Sequence, residues 1–184
     1  MKKYKNNIKV LQEEIIKIKA PTKLIIGDPS YLDAIEENND VGCMKKLCLI
    51  KNKLPGTMNA EIIIKEVEDE WLGYKFKSIY IDIIAVSNKI DINKQNNHLE
   101  IFKSNRFYPS LVSKQFDLGC DTACFEMTTN KGYYEFKTGA DGSYGNYTIY
   151  KNNLAYHITL ALDADLFDFD EIVDIMKYLF KEEK

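Results

Sequence analysis

Apolar and polar residues alternate along most of the chain after about residue 60. In the stretch YKFKSIYIDIIAVS, Ile79, Ile81 and Ile83 fall on one side, while Tyr80 and Asp82 fall on the other. Strict alternation is typical of a strand with one face toward a core. Other segments also predict strands and are separated by turns rich in Asn, Asp and Gly: KKLCLIKN, AEIIIKEVED, SKQFDLG, ACFEMTT, GYYEFKTG, NYTIYK and LAYHITLALD.

The first forty residues are less regular. Apolar residues before Pro21 fit either one face of a helix or alternate positions of a strand, and Pro21 ends both because it fixes φ and has no N–H. Residues 23–26 are predicted to form a short strand that stops at Gly27-Asp28-Pro29, and the segment SYLDAIEENND a short helical turn or loop. The Asn-rich residues 88–98 are predicted to be an exposed loop, with a short strand at LEIFK after it.

The end of the chain changes to a helical period. Apolar residues recur at i, i+3, i+4 and i+7 from Phe169 to Phe180, and Asp168 and Glu171 are spaced as in a capping box. We therefore expect an amphipathic helix packed on a sheet. The whole pattern predicts a single globular domain over residues 1–184, of α+β class and mainly antiparallel β. A meander, which the strands after Val112 suggest, a sandwich and a partly open barrel all fit.

Composition and charge limit the kinds of partner that the protein is expected to bind. The net charge is −3 and Arg106 is the only arginine, which disfavours nucleic acid as a direct ligand because phosphate and base recognition rely on guanidinium groups. No apolar run approaches the roughly 20 residues of a membrane helix, and the N-terminus lacks the apolar core of a signal peptide. On these two grounds we expect a cytoplasmic protein without a membrane partner. Frequent Lys, Asn, Ile and Tyr suggest an AT-rich bacterial or phage genome.

The four cysteines allow a metal-site hypothesis. Cys43 and Cys48 have C-x4-C spacing, and Cys120 and Cys124 have C-x3-C spacing, but no zinc-type turn accompanies them. In a reducing compartment we favour buried thiols over disulfides or zinc, and we expect no cofactor.

Two other groups of residues that could carry chemistry have ordinary explanations. The segment DADLFDFDE resembles a calcium loop, but Phe167 and Asp168 stand where an EF-hand needs a ligand and a glycine, so helix capping explains its acids better. His98 falls in the polar loop. His157 lies in a strand and shares a face with Ala155 and Thr159, and we expect a structural role for it.

Three short motifs carry a resemblance to other proteins. The segments IGDPSYL, FDLGCDTA and TGADGSYGNYTIY resemble the order of motifs in a group of uncharacterised bacterial β-rich proteins, in which a GDP-[CS]-Y segment precedes a TG-x-GDG-x-Y hairpin. This chain departs from that pattern at Ala140-Asp141-Gly142 and in its long C-terminal helix. The resemblance implies a shared architecture with Asp28 and Asp141 at strand ends, and it implies no activity.

The candidate ligand-binding residues are Asp28, Tyr31, Asp121, Asp141 and Tyr144. Asp28 precedes a proline and suits an Asx-type turn, so we favour a structural role for it. The alternative is that Asp28, Asp121 and Asp141 converge at strand ends as a carboxylate site. Asp121 is the most unusual of them, because an acid within a strand pattern is either solvated or paired.

These observations favour a non-catalytic binding protein that acts through protein–protein contacts. Abundant tyrosine suits such interfaces, and one version of this function is a phage- or mobile-element-encoded inhibitor of a bacterial defence system. The first alternative is a small-ligand-binding protein or enzyme that uses the carboxylates with Tyr144 and His157. The second alternative is a cysteine-ligated zinc protein. The oligomeric state stays open.

Overall fold

The structure is a computed structural model that describes residues 8–38, 47–51, 58–71, 73–87, 111–118, 124–138, 142–150 and 155–180. The ten strands in these ranges are β1 (Lys9–Lys19), β2 (Lys23–Gly27), β3 (Cys48–Lys51), β4 (Met58–Trp71), β5 (Tyr74–Ser87), β6 (Leu111–Leu118), β7 (Cys124–Thr129), β8 (Tyr133–Lys137), β9 (Gly142–Tyr150) and β10 (Ala155–Asp163). The two helices are α1 (Pro29–Asn38) and α2 (Phe169–Phe180).

The strands form two antiparallel sheets. The six-stranded sheet has the order β1-β4-β5-β10-β9-β6, and the four-stranded sheet has the order β3-β2-β7-β8. One continuous cluster of buried side chains includes residues from both sheets and from α2. The mainly antiparallel β class with a C-terminal helix packed on the sheet is therefore confirmed, and of the three predicted arrangements the two-sheet one is observed.

The strands from β6 onward do not form a simple meander. β6 pairs with β9, while β7 and β8 lie in the other sheet. Within this part of the chain only β7–β8 and β9–β10 are neighbours both in sequence and in space. Alternation of side chains indicates which face of a strand is buried, but it does not identify the neighbouring strand.

The ambiguous N-terminal segment is a strand. β1 pairs with β4 over its whole length, and this register sets Ile16 opposite Ile62 and Ile18 opposite Ala60. Both β1 isoleucines pack against the shared core. The segment that follows Asp28 is a ten-residue helix, longer than the predicted turn. The predicted loop at 88–98 and strand at LEIFK lie outside the described residues.

β5 shows the predicted alternation. Ile79, Ile81 and Ile83 are buried in the shared core, and the residues between them lie on the opposite face of the six-stranded sheet. We call this opposite face the outer face. The register extends it to neighbouring strands, because Asp82 is opposite both Ile63 of β4 and Thr159 of β10.

α2 has the predicted amphipathic pattern and cap. Oδ1 of Asp168 accepts hydrogen bonds from the N–H groups of Asp170 at 2.9 Å and Glu171 at 3.3 Å. The Glu171 side chain accepts a bond from the Tyr134 hydroxyl at 3.5 Å, which differs from the bond back to Asp168 that a capping box would make. The buried residues of α2 are Phe169, Ile172, Val173, Ile175, Met176, Leu179 and Phe180.

Candidate functional site

Asp28 caps the N-terminus of α1. Its Oδ1 accepts hydrogen bonds from the Ser30 N–H at 2.9 Å and the Ser30 hydroxyl at 2.7 Å, and its carbonyl accepts a bond from the Tyr31 N–H at 3.1 Å. Pro29 follows at the first helical position, where a missing N–H has little cost. The carboxylate is fully buried, so these contacts and the positive end of the helix compensate a charge removed from water.

Of the other predicted site residues, Tyr31 is the one that the described part of the chain sets next to Asp28, through the backbone hydrogen bond in the first turn of α1. Tyr31 lies in the first turn of α1 and is half-buried. Tyr144 belongs to β9, where only its backbone is described. Asp121 and Asp141 lie outside the described residues, so their convergence with Asp28 stays a prediction.

The two described cysteines lie on opposite faces of the four-stranded sheet. Cys48 is opposite Ile26, and Ile26 is opposite Met127, all in the shared core. Cys124 is an odd number of residues from Met127 along β7, so it faces away from that core. These two thiols therefore cannot bind the same metal ion. Burial strongly raises the pKa of the Cys48 thiol, and a neutral thiol is a poor zinc ligand.

A polar cluster of three side chains lies on the outer face of the six-stranded sheet. Nε2 of His157 is 2.7 Å from Oδ1 of Asp82, and the Thr159 hydroxyl donates to the same oxygen at 2.8 Å. Thr159 Oγ1 is also 3.2 Å from His157 Nε2. The cluster lies next to two buried isoleucines, Ile63 on β4 and Ile84 on β5, and Lys65 of β4 is on the same face.

The geometry of this cluster differs from that of a catalytic triad. In a triad the carboxylate and the nucleophile bond to different nitrogens of the histidine. Here the Asp82 carboxylate and the Thr159 hydroxyl both approach Nε2 of His157. A carboxylate only accepts, so Nε2 carries a hydrogen and cannot take a proton from Thr159. The arrangement fixes strands β5 and β10 to each other.

Asp82 was not predicted as a site residue, although the sequence contains a signal for it. It is an acid in a run of isoleucines on a central strand, and such a residue must be solvated or paired. The partners are distant in sequence, since Asp82 and His157 are 75 positions apart. Only the strand order, which sets β5 beside β10, brings them together.

The hairpin of β4 and β5 extends beyond the rest of its sheet. Pairing of β10 with β5 ends at Ser78, and pairing of β1 with β4 begins at Glu68. Past these points the two strands continue to pair with each other, up to Trp71 opposite Tyr74, and the other backbone contact that the described residues show here is the bond from the Ala164 N–H to the Lys77 carbonyl at 3.4 Å. Gly73 in the turn has a φ of 85°, which is the left-handed conformation that a tight hairpin requires.

Aromatic side chains at this end are exposed on the outer face. Tyr74 is 77% exposed and Phe76 is 45% exposed. Register sets Asp69 opposite Phe76, and Asp163 of β10 lies opposite Ser78 on the same face. We call the surface formed by Asp69, Tyr74, Phe76 and Asp163 the hairpin face. Its sequence signal was two aromatic residues in alternation immediately after a glycine turn.

In the comparisons with known proteins, no family model, no curated protein and no solved structure matches the chain. Neither of the two helices that the structure describes is long and apolar enough to cross a membrane. Within the described residues no three His, Cys, Asp or Glu side chains are grouped as a metal site would require.

Proposed function

We propose that this chain is a non-catalytic binding protein that acts through protein–protein contacts, with the hairpin face as the contact surface. The observation that carries the proposal is the exposure of Tyr74 and Phe76 on a projecting two-stranded ribbon. Aromatic side chains supply large contact areas with few rotatable bonds, and they are enriched at the energetic centres of protein interfaces.

The roles of two described carboxylates, Asp28 and Asp82, agree with this proposal. Asp28 is occupied as a helix cap, and Asp82 holds His157 and Thr159 between two strands. Both have a structural role that requires no substrate. We extend the proposal to a cytoplasmic setting in a bacterium or an infecting phage, where the partner would be a component of a bacterial defence system. This extension rests on amino-acid composition.

Affinity capture from a bacterial lysate tests the proposal. The bait is the wild-type chain, the variant Tyr74→Ala/Phe76→Ala, or the control Tyr133→Ala/Tyr178→Ala. The control removes two aromatics that are 65% and 61% exposed on β8 and α2. We expect wild type and control to retain a stoichiometric protein, and the hairpin variant to lose about tenfold or more of it, the size of a moderate hot-spot effect.

Two results would count against the proposal. One is the absence of any stoichiometric partner for the wild-type chain. The other is equal recovery by the wild type and the hairpin variant, which would move the contact elsewhere. Since Tyr74 and Phe76 are exposed, the variant should keep the wild-type circular dichroism spectrum, and loss of capture then reports on binding.

A further inference from the structure

Charge is unevenly distributed between the two faces of the β4–β5 hairpin. On the side opposite the hairpin face, Lys75 Nζ lies 3.2 Å from Glu68 and Lys77 Nζ lies 3.2 Å from Glu66. Lys9 at the start of β1 is in register with Glu68 and so belongs to that side as well. The three described lysines at this end of the sheet are therefore on the side away from Tyr74 and Phe76.

The two acids of the hairpin face have only local backbone partners. Oδ1 of Asp69 accepts from the Glu70 N–H at 2.7 Å, and Oδ1 of Asp163 accepts from the Asp165 N–H at 2.9 Å. Neither forms an ion pair with any residue that the structure describes. The nearest lysine along this face of β4, Lys65, is itself paired with Glu13 at 2.9 Å. Exposed aromatic rings thus lie beside two uncompensated negative charges.

We infer that the hairpin face binds a lysine- and arginine-rich segment of a partner protein. The inference rests on the proposed function and adds the chemistry of the partner. Cationic side chains can stack on the rings of Tyr74 and Phe76, and the carboxylates of Asp69 and Asp163 provide the complementary charge that selects a basic partner.

The same charges disfavour the other occupants of an exposed aromatic surface. Nucleic acid could stack bases on the rings, but Asp69 and Asp163 would repel its phosphates. In a symmetric dimer through this face the same patch of both copies would meet, which would bring the aspartates of one copy against those of the other. A basic protein segment avoids both repulsions.

Fluorescence anisotropy with defined probes tests the inference. The main probe is a labelled dodecapeptide of alternating lysine and glycine, compared with glutamine–glycine and glutamate–glycine peptides and a dodecameric oligothymidylate. We expect the lysine peptide to bind most tightly. Its affinity should fall as salt is raised, because at about 0.1 M ionic strength charges more than ~10 Å apart are largely screened.

Two matched pairs of variants distinguish the effect of charge on the hairpin face from the effect of the protein's net charge. Asp69→Asn/Asp163→Asn removes two charges from the hairpin face, and Glu135→Gln/Asp174→Asn removes two from exposed positions on β8 and α2. We expect the first pair to weaken lysine-peptide binding by about three- to tenfold, the range for two exposed charge interactions, and the second pair to leave it within about twofold. Tyr74→Ala/Phe76→Ala should weaken binding by about fivefold or more.

Each contrary outcome overturns the inference. Equal weakening by the two acid pairs would mean that only net charge matters, and equal binding of the glutamine peptide would mean that the face is simply apolar. Tighter binding of the oligonucleotide would assign nucleic acid, and concentration-dependent dimerisation abolished by Tyr74→Ala/Phe76→Ala would assign a second copy. A lysate partner lost with Tyr74→Ala/Phe76→Ala but kept with Asp69→Asn/Asp163→Asn would retain the proposed function and refute only its basic partner.

Discussion

Tyr156 brings a hydroxyl group into the centre of the core. The side chain is fully buried, and its oxygen has no hydrogen-bond partner among the described residues. Burial strongly raises the pKa of this phenol, and the nearby Cys48 raises it further. The group therefore stays neutral, with an O–H donor that was hydrated in the unfolded chain and is unsatisfied in the folded one.

Replacing Tyr156 with Phe should stabilise the protein. The substitution keeps the ring and removes the unsatisfied hydroxyl, so we expect the free energy of unfolding to rise by about 1 kcal/mol. Urea unfolding measures this as a higher midpoint with an unchanged m-value. Tyr134→Phe is the control, because that hydroxyl already donates to Glu171 and its loss should bring no gain. A destabilised Tyr156→Phe would show that the hydroxyl has a partner.

Asp28 offers a second test at the residue scale, because its cap requires an acceptor oxygen more than a charge. Asp28→Ala should lower the free energy of unfolding by about 1–2 kcal/mol, while Asp28→Asn should cost less than half as much. Chemical denaturation of both variants, with Asp168→Ala as the equivalent change on α2, provides the comparison. If Asn were as damaging as Ala, the negative charge of Asp28 would itself stabilise the start of α1, in addition to the acceptor oxygen.

At the scale of elements, Thr129 links the end of β7 to the last turn of α2. Its hydroxyl donates to the carbonyl oxygen of Leu179 at 2.8 Å and accepts from the Lys131 N–H at 3.1 Å. The last carbonyls of a helix have no partner within the helix, and this one is buried. The contact therefore orients α2 on the four-stranded sheet in addition to the packing of its apolar face.

Thr129→Val should remove this link while nearly preserving shape. We expect a loss of about 1–3 kcal/mol in unfolding free energy, because the buried Leu179 carbonyl loses its hydroxyl donor. Thr128→Val is the matched control on the other face of β7, where the hydroxyl bonds to Glu126 near solvent. Hydrogen exchange of α2 amides should speed up in the Thr129 variant only. Equal effects of the two changes would contradict a specific role for Thr129.

An element whose apolar residues fit a single period could be predicted from sequence. A segment whose apolar residues fit both the helix period and the strand period could not. The isoleucines of β5 and the apolar stripe of α2 each fit a single pattern, and both predictions are confirmed. The apolar residues of β1 fit one face of a helix and alternate positions of a strand equally well. Its identity comes from pairing with β4, which lies about fifty positions away in the chain, and local sequence does not contain that information.

At the scale of the whole molecule, strand order decides which side chains meet. The Asp28 cap is local and follows from the Asp-Pro dipeptide, so sequence sufficed for it. The Asp82–His157 contact depends on β5 lying beside β10, and the hairpin face depends on where the neighbouring strands stop pairing. Both need the topology of the six-stranded sheet, which the alternation pattern leaves open.

The stability that the cluster of Asp82, His157 and Thr159 adds to the six-stranded sheet should depend on pH. Burial is the largest influence on the Asp82 pKa and raises it, but hydrogen bonds from His157 and Thr159 and the positive charges of His157 and Lys65 together lower it below its ordinary value. A lowered carboxyl pKa means that the ionised form is favoured in the folded state. Its contribution to stability is present above the ordinary pKa of about 3.9 and is lost as pH falls through the lower, folded-state pKa.

Comparing wild type with Asp82→Asn as a function of pH tests this linkage. Near neutral pH we expect the variant to be about 1–3 kcal/mol less stable, because His157 and Thr159 lose a charged acceptor. The difference should not fall between neutral pH and about pH 5, and it should shrink below about pH 4, where the Asp82 carboxyl of the unfolded wild-type chain takes up protons before that of the folded chain does. Urea unfolding at stepwise lower pH measures it, with Asp170→Asn on the exposed first turn of α2 as the control. A gap that is constant down to the acid unfolding limit would mean that the cluster stabilises the sheet through shape and packing, without the charge of Asp82.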